Sequence, residues 1–247
     1  MHETEHVLWF TALLNQYLSA PAEAILRLAG LKFDPGKPWA NFMAMEVLVI
    51  LLLMIGATLL RTRLSVDKPG TFQLTIEAVY EFLGDLAKDI VGHDYQKYMA
   101  WFCTLFIFIL VSNLLGVIPT FESPTMYYYV PAGLALCTFL YYNGIGIKAH
   151  GVLGYLKELA GPMWWLAWFM FPLEFISHCI RPVSLTIRLY ANMLAGEKVT
   201  IGFLALVPFV VPVAVMALHV FVSFLQAFIF TILSTAYVGS AVAHEEE

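Results

Sequence analysis

Residues 163–240 are apolar almost throughout, yet ionisable side chains sit inside that run. The stretch 174–197 alone holds Glu174, His178, Arg181, Arg188, Asn192 and Glu197. At a rise of 1.5 Å per residue, two helices filling 163–240 would each run to about 60 Å. A bilayer's hydrocarbon core is only about 30 Å thick. Either the segment crosses more than twice, or two long helices tilt steeply or break. Pro172, Pro182, Pro208 and Pro212 mark candidate kinks. An arginine at membrane depth costs roughly 2.5–3.5 kcal/mol even on lenient scales, so it persists where it has a partner, a wet cavity or a role.

Composition agrees with a membrane setting. The 247 residues are 60% hydrophobic and 13% charged, whereas soluble domains carry about 25% charge. Several apolar runs exceed a strand's length, so the expected fold class is an all-α integral membrane protein. The net charge of −5 without a basic tract argues against a nucleic-acid partner. Cys103, Cys137 and Cys179 are odd in number and dispersed in apolar runs. That pattern fits buried core residues and neither a disulfide framework nor a metal or redox motif. No cofactor is expected. The acidic start MHETEHVLWF lacks the basic n-region of a signal peptide.

In chain order, residues 1–41 read as an outer-side segment with a short interfacial helix and a loop, and 42–247 as one membrane domain. Spans are expected at about 42–60, 98–118, 132–147, 163–206 and 209–240, five in all. Between the first two, Phe72, Ile76, Val79, Leu83, Leu86 and Ile90 recur at helical spacing. Glu77, Glu81, Asp85 and Asp89 form a separate acidic stripe. This predicts an amphipathic helix at the interface over about 69–92, its acidic face solvated or docking a partner. Loops are expected at 119–131 and, more polar, at 148–162. Arg61, Arg63, Lys68, Lys88 and Lys97 follow the first span, and no Lys or Arg lies in the connection after the second. The alternation puts the N-terminus outside and the acidic C-terminal tail in the cytoplasm.

Helical spacing sorts the central residues. Glu174, His178, Arg181 and Arg188 fall at i, i+4, i+7 and i+14, near one face. Asn192 follows Arg188 by a turn, and Glu197 by nine residues. His219, Ser223 and Gln226 fall at i, i+4 and i+7 of the last helix. Two facing helices thus each carry a polar stripe, one with a permanent cation. Blander roles compete: Arg181 snorkelling, His178 as a hydrogen-bonded core residue, Asn113 as a helix–helix bond, and Ser184 and Ser223 bonding back to their own helix. Arg188 has no acidic neighbour at i±3 or i±4, so its counter-charge must come from elsewhere.

The run RPVSLTIRLYANMLAGE resembles the PxSLxxRLxxNxxAG signature of subunit a of F-type ATP synthases. ALHVFVSFLQAFIFTILSTAYV resembles that family's LQAFIFxxLxxxY motif, and FCTLFIFILVSNLLGVIP its FxFxxxxNLxGxxP motif. The resemblance covers roughly residues 42–240. It implies a non-catalytic, ion-translocating stator subunit facing a rotating c-ring and held by peripheral-stalk b subunits in a bilayer. Bacterial inner-membrane localisation, with two long, tilted final helices against the ring, is the corresponding expectation. By resemblance, Arg188 is the essential arginine and Gln226 the glutamine opposite it. Glu197 and His219 match the outer channel's polar pair, Glu174 the inner channel's acid, and Asn192 and Ser184 the polar positions beside the arginine. His178 is added on its spacing. Tyr127 and Tyr129 stand where the family often has Asp and Asn, so with Asn113 they mark a candidate outer entry lined differently. Two other classes would fit a polar membrane bundle. A stand-alone secondary transporter would show internal repeats, and none relates 42–118 to 132–240. A haem-binding redox subunit would use His178 and His219.

Overall fold

The computed structural model describes residues 8–28, 38–65, 68–92, 94–118, 121–160, 167–206 and 210–242. Every regular element among them is helical. In order these are α1 (Trp9–Tyr17), α2 (Ser19–Leu28), α3 (Asn41–Arg63), α4 (Thr71–Val91), α5 (Met99–Leu115), α6 (Tyr129–Ala160), α7 (Ala167–Leu206) and α8 (Val210–Val242). Short 3₁₀ turns lie at Tyr95–Lys97 and Pro124–Met126. α3, the Tyr129–Ala149 part of α6 and the Val213–Val242 part of α8 are long and apolar enough to cross a membrane, and α5 is a shorter apolar helix. The protein is an all-α membrane protein.

α5 carries apolar residues on every side, with Thr104, Ser112 and Asn113 its polar exceptions, and sits at the centre. Its Met99, Phe102, Leu105, Phe106 and Ile109 are buried together with Leu83 and Ala87 of α4 and Tyr142 of α6. Leu185, Leu189 and Met193 of α7 and Ala227, Phe230 and Val238 of α8 complete the same core. The spacing 185, 189, 193 is one stripe of α7 turned inward. α3 behaves oppositely. Asn41, Ala44, Met45 and Val49 are buried at its start, whereas Ile50, Leu51, Leu52, Met54, Ile55 and Leu59 are exposed. An outward row of large aliphatics on a 23-residue helix is a lipid-facing surface. Arg61 and Arg63 end it.

α4 carries its four acidic residues on the exposed side, as the spacing predicts. Its apolar stripe is used unevenly. Leu83 and Ala87 are buried, but Phe72 and Ile90 stay exposed. The buried Gln73 occupies part of the inner face, bonded to Ser65 and Glu77. Packing against α8, with Phe82 5.6 Å from Phe228 between ring centroids, selects which part of the stripe is covered.

The stretch expected as a polar loop at 148–162 is helical as far as Ala160, with residues 161–162 outside the described set. α6 breaks at Gly151, whose φ of 71° lies where side chains are disfavoured. The chain beyond turns back, and the Tyr155 ring packs on Gly146, where a Cβ would sit 2.7 Å from Tyr155 Cε2.

α7 runs 40 residues, about 60 Å at 1.5 Å per residue. α8 runs 33, about 50 Å. The segment is therefore two long helices. Pro172 and Pro182 lie inside α7, which continues through both. Pro212 falls in the first turn of α8, and Pro208 lies outside the described residues, as does the acidic tail.

Candidate ion-translocation site

α7 and α8 pack along their length and bring their polar stripes to one seam. Arg188 is half-buried, one turn beyond Ser184, and its Nη2 donates to Ser184 Oγ at 3.4 Å. Among the described residues no carboxylate forms an ion pair with it. Asn192 is half-buried a turn further on. On α8, His219, Ser223 and Gln226 are all buried, Ser223 completely. Gln226 adjoins Ala227 in the core that also holds Leu185 and Leu189. Beside the polar seam, Ile176, Ile180, Val183 and Ile187 of α7 and Leu218, Phe221 and Phe224 of α8 are exposed. The guanidinium thus lies between a packed core and an uncovered apolar surface.

One end of the seam joins His219 to Glu197. A Cβ on Gly196 would stand 3.2 Å from both Cε1 and Nε2 of His219. The imidazole therefore lies on the backbone of the residue before Glu197, a contact across more than twenty residues of sequence. His219 Nε2 is buried without a hydrogen-bond partner among the described residues. Glu122, in the loop before α6, lies within electrostatic reach of Glu197. Tyr127 donates its hydroxyl proton to Glu122 Oε2 at 2.8 Å. Tyr127, Glu122, Glu197 and His219 thus form one neighbourhood. In the sequence Glu122 is the one charged residue of the loop 119–131, which makes it a candidate guide of protons toward Glu197 but does not set its contacts.

Tyr129 shares Phe42 with Tyr127, whose ring also lies 5.5 Å from it, while the bond to Glu122 is made by Tyr127. The Tyr129 ring stacks on Phe42 of α3 at 5.5 Å and lies 3.9 Å from Tyr128. Asn113 is fully buried. Its Nδ2 donates to the Ser223 carbonyl of α8 at 3.3 Å, and its Oδ1 accepts from Thr125 Oγ1 at 2.6 Å. Thr125 in turn meets Ser123, which bonds the Ser112 carbonyl. Asn113 ties α5, α8 and the loop into one knot, which is a structural task.

The other end of α7 gathers Glu174, His178 and Arg181. Glu174 Oε1 lies 3.7 Å from His178 Nδ1 and 3.8 Å from Arg181 Nη2. The i, i+4, i+7 spacing is thus realised as contact. The Arg181 guanidinium lies 5.0 Å from the centre of the Tyr237 ring on α8, a cation–π approach. His178 Nε2 is 3.0 Å from the Tyr155 hydroxyl. Tyr155, Tyr237 and Asn143 were not singled out from the sequence. The closely spaced Gly144, Gly146 and Gly151 are the sequence signal that could have pointed to them.

Glu174 and Glu197 are 23 residues apart on one helix, with Arg188 between them. At 1.5 Å per residue the separation is about 34 Å, comparable to a bilayer core. His219 touches α7 at Gly196, eighteen residues from His178, so about 27 Å of helix separates the two imidazoles. They are too far apart to share one haem iron.

A family model described as ATP synthase A chain matches residues 42–239. The ATP synthase subunit a of Solibacter usitatus is 50% identical over 233 residues, covering 94% of this chain and all of that one. That of Koribacter versatilis is 45% identical over 240 residues, covering 97% and 98%. That of Sulfurimonas denitrificans is 38% identical over 201 residues, covering 79% and 90%.

Proposed function

The chain belongs to the ATP synthase A chain family, and from that premise we propose that it carries protons through the membrane sector of an F-type ATP synthase by two offset half-channels. The observation that carries this reading is Arg188: a permanent, half-buried cation without an ion-pairing carboxylate among the described residues of its own chain. Such a charge calls for an anion from a partner. A ring of c subunits presenting one carboxylate each would supply it, and the exposed aliphatic and aromatic surface beside Arg188 supports a ring lying there.

The chemistry follows from charge. A ring carboxylic acid leaving lipid for the Arg188 site gains a cation, which lowers its pKa, so it gives up its proton. Arg188 stays charged throughout. A fixed cation repels an approaching proton, so protons cannot pass directly from one side's route to the other's. They cross by riding the ring. Tyr127, Glu122, Glu197 and His219 line the outer route, and His178 and Glu174 the inner one. Gln226, Asn192 and Ser184 supply hydrogen-bonding groups beside the arginine. The N-terminus lies outside and the tail in the cytoplasm, b subunits of the peripheral stalk hold the chain still, and the chain itself catalyses no covalent step. Bacterial relatives favour a plasma-membrane home.

The test is ATP-driven proton pumping by membranes containing the assembled complex with Arg188→Ala. Loss of pumping with normal assembly is expected. Near-normal pumping overturns the reading.

A further inference from the structure

We infer that Tyr155 and Asn143 are positioning residues that hold His178 in the Nε2–H tautomer, so that its Nδ1 is the proton-accepting atom facing Glu174. The inference rests on the proposed inner route and adds two residues and a proton's address to it.

The address follows from counting protons along a chain of contacts. Asn143 Nδ2 donates to the Phe139 carbonyl at 2.7 Å. That fixes which way the amide points and leaves Oδ1 as an acceptor. Tyr155 gives its single hydroxyl proton to Asn143 Oδ1 at 2.7 Å. A phenol has one proton to give, so toward His178 its oxygen accepts. The imidazole atom 3.0 Å away is Nε2, which must therefore carry a hydrogen. A neutral imidazole then bears its lone pair on Nδ1. Nδ1 faces Glu174 Oε1 at 3.7 Å. The backbone holds this chain in place: Gly151 reverses the path of α6, and Gly146 leaves room for the Tyr155 ring.

With this tautomer a proton descending from the ring binds His178 Nδ1 and makes an imidazolium, while Nε2–H stays on Tyr155. The Nδ1 proton then passes to the Glu174 carboxylate, restoring neutral His178 and forming a carboxylic acid that loses its proton to inner water. No proton is left behind. The 3.7 Å gap exceeds a direct hydrogen bond, so the carboxylate must swing closer or one water must bridge. Glu174 is the more exposed of the two, 42% against 14% at the side chains, the order expected of an exit. The opposite tautomer would place its hydrogen on Nδ1 and leave nothing there to accept. Among the described residues, the charged and titratable groups around His178 include Glu174 and Arg181 on α7, Tyr142 and Tyr155 on α6, and Tyr237 of α8 behind Tyr142. Arg181 keeps its charge across the working pH range, and the phenols stay neutral near pH 7.

The test uses the whole complex in membranes, with ¹⁵N-labelled histidine read by solid-state NMR and the His178 signal assigned by its loss in His178→Gln. The expected neutral form is protonated at Nε2, and Tyr155→Phe, which keeps the ring, shifts the population toward Nδ1–H. In parallel, Tyr155→Phe is expected to lower ATP-driven pumping severalfold and change its dependence on inner pH. It should have no further effect in a His178→Gln background. An Nδ1–H tautomer in the parent complex, or losses that multiply between the two substitutions, overturns the inference. Arg188→Ala separates the two levels. If it abolishes pumping while the tautomer is Nδ1–H, only the relay fails; if pumping survives it, the proposed function fails.

Discussion

The two ends of the α7–α8 seam solve the same problem differently. At the Glu197 end a histidine is pressed onto a helix backbone, His219 over Gly196, and its buried Nε2 meets no hydrogen-bond partner among the described residues. At the Glu174 end a histidine is held by a run of oriented bonds, from His178 through Tyr155 and Asn143 to the Phe139 carbonyl. One imidazole is positioned by shape, the other by hydrogen bonding. A group held by shape is sensitive to volume, and one held by hydrogen bonds is sensitive to the loss of single polar atoms. The contrast therefore predicts which substitutions hurt at which end.

The most severe effect is expected between the two ends. Arg188→Lys should lose most coupled pumping, because a lysine is a compact point charge that can give up its proton when buried. Pumping close to the parent's in Arg188→Lys membranes would mean that the seam needs no permanent cation, and the two ends would no longer be separate routes.

At the shape-held end, Gly196→Val should strongly reduce flux, since even a Cβ there lies 3.2 Å from two ring atoms of His219. Gly196→Ala should cost less, the ring yielding by a few tenths of an ångström. The graded loss, measured as proton pumping at equal complex content, distinguishes shape from polarity. Equal fluxes in the Ala and Val variants would contradict it.

Asn113 sharpens the comparison because its bonds go to the Ser223 backbone and to the loop, between the two ends of the seam. Asn113→Ala removes two buried hydrogen bonds, to the Ser223 carbonyl and from the Thr125 hydroxyl, a cost of about 2 kcal/mol in stability. The expected result is a lower melting temperature of the detergent-extracted complex. Pumping per assembled complex should stay normal, and a selective loss of flux at unchanged stability would return Asn113 to the outer entry.

The smallest effect belongs to the aromatic loop. Tyr127→Phe removes the bond to Glu122 and should lower flux modestly, since a phenol orients water without ionising. Tyr129→Phe should leave flux unchanged, its ring being stacked on Phe42. A larger loss at Tyr129 than at Tyr127 in proton-flux assays would reverse these roles.

Much of this was legible in the chain itself. Apolar run lengths identified an all-α membrane protein, and lysine and arginine spacing suggested an orientation. The i, i+4, i+7 pattern brought Glu174, His178 and Arg181 together, because those contacts lie within one helix and 3.6 residues per turn determines them. The signature around Arg188 pointed to the family that the comparisons bear out. Beyond the pairs that the resemblance named, such as Glu197 with His219, contacts between helices were not legible. Glu122 lies within electrostatic reach of Glu197, Tyr155 reaches back to His178, and Asn113 bonds the Ser223 carbonyl, at separations from 23 to 110 residues. The same holds for α4, whose periodic stripe named an apolar face but not the part that α8 would cover. Periodicity describes one helix at a time. Which helices meet, and at which turn, depends on where glycines permit close approach and where a positive φ reverses the chain, as Gly196, Gly146 and Gly151 do here. The sequence by itself determined the helices and the charge at the centre of the seam; tertiary packing alone decided which groups from other segments, Tyr155, Asn143 and Tyr237 among them, join it, because those contacts cross between helices.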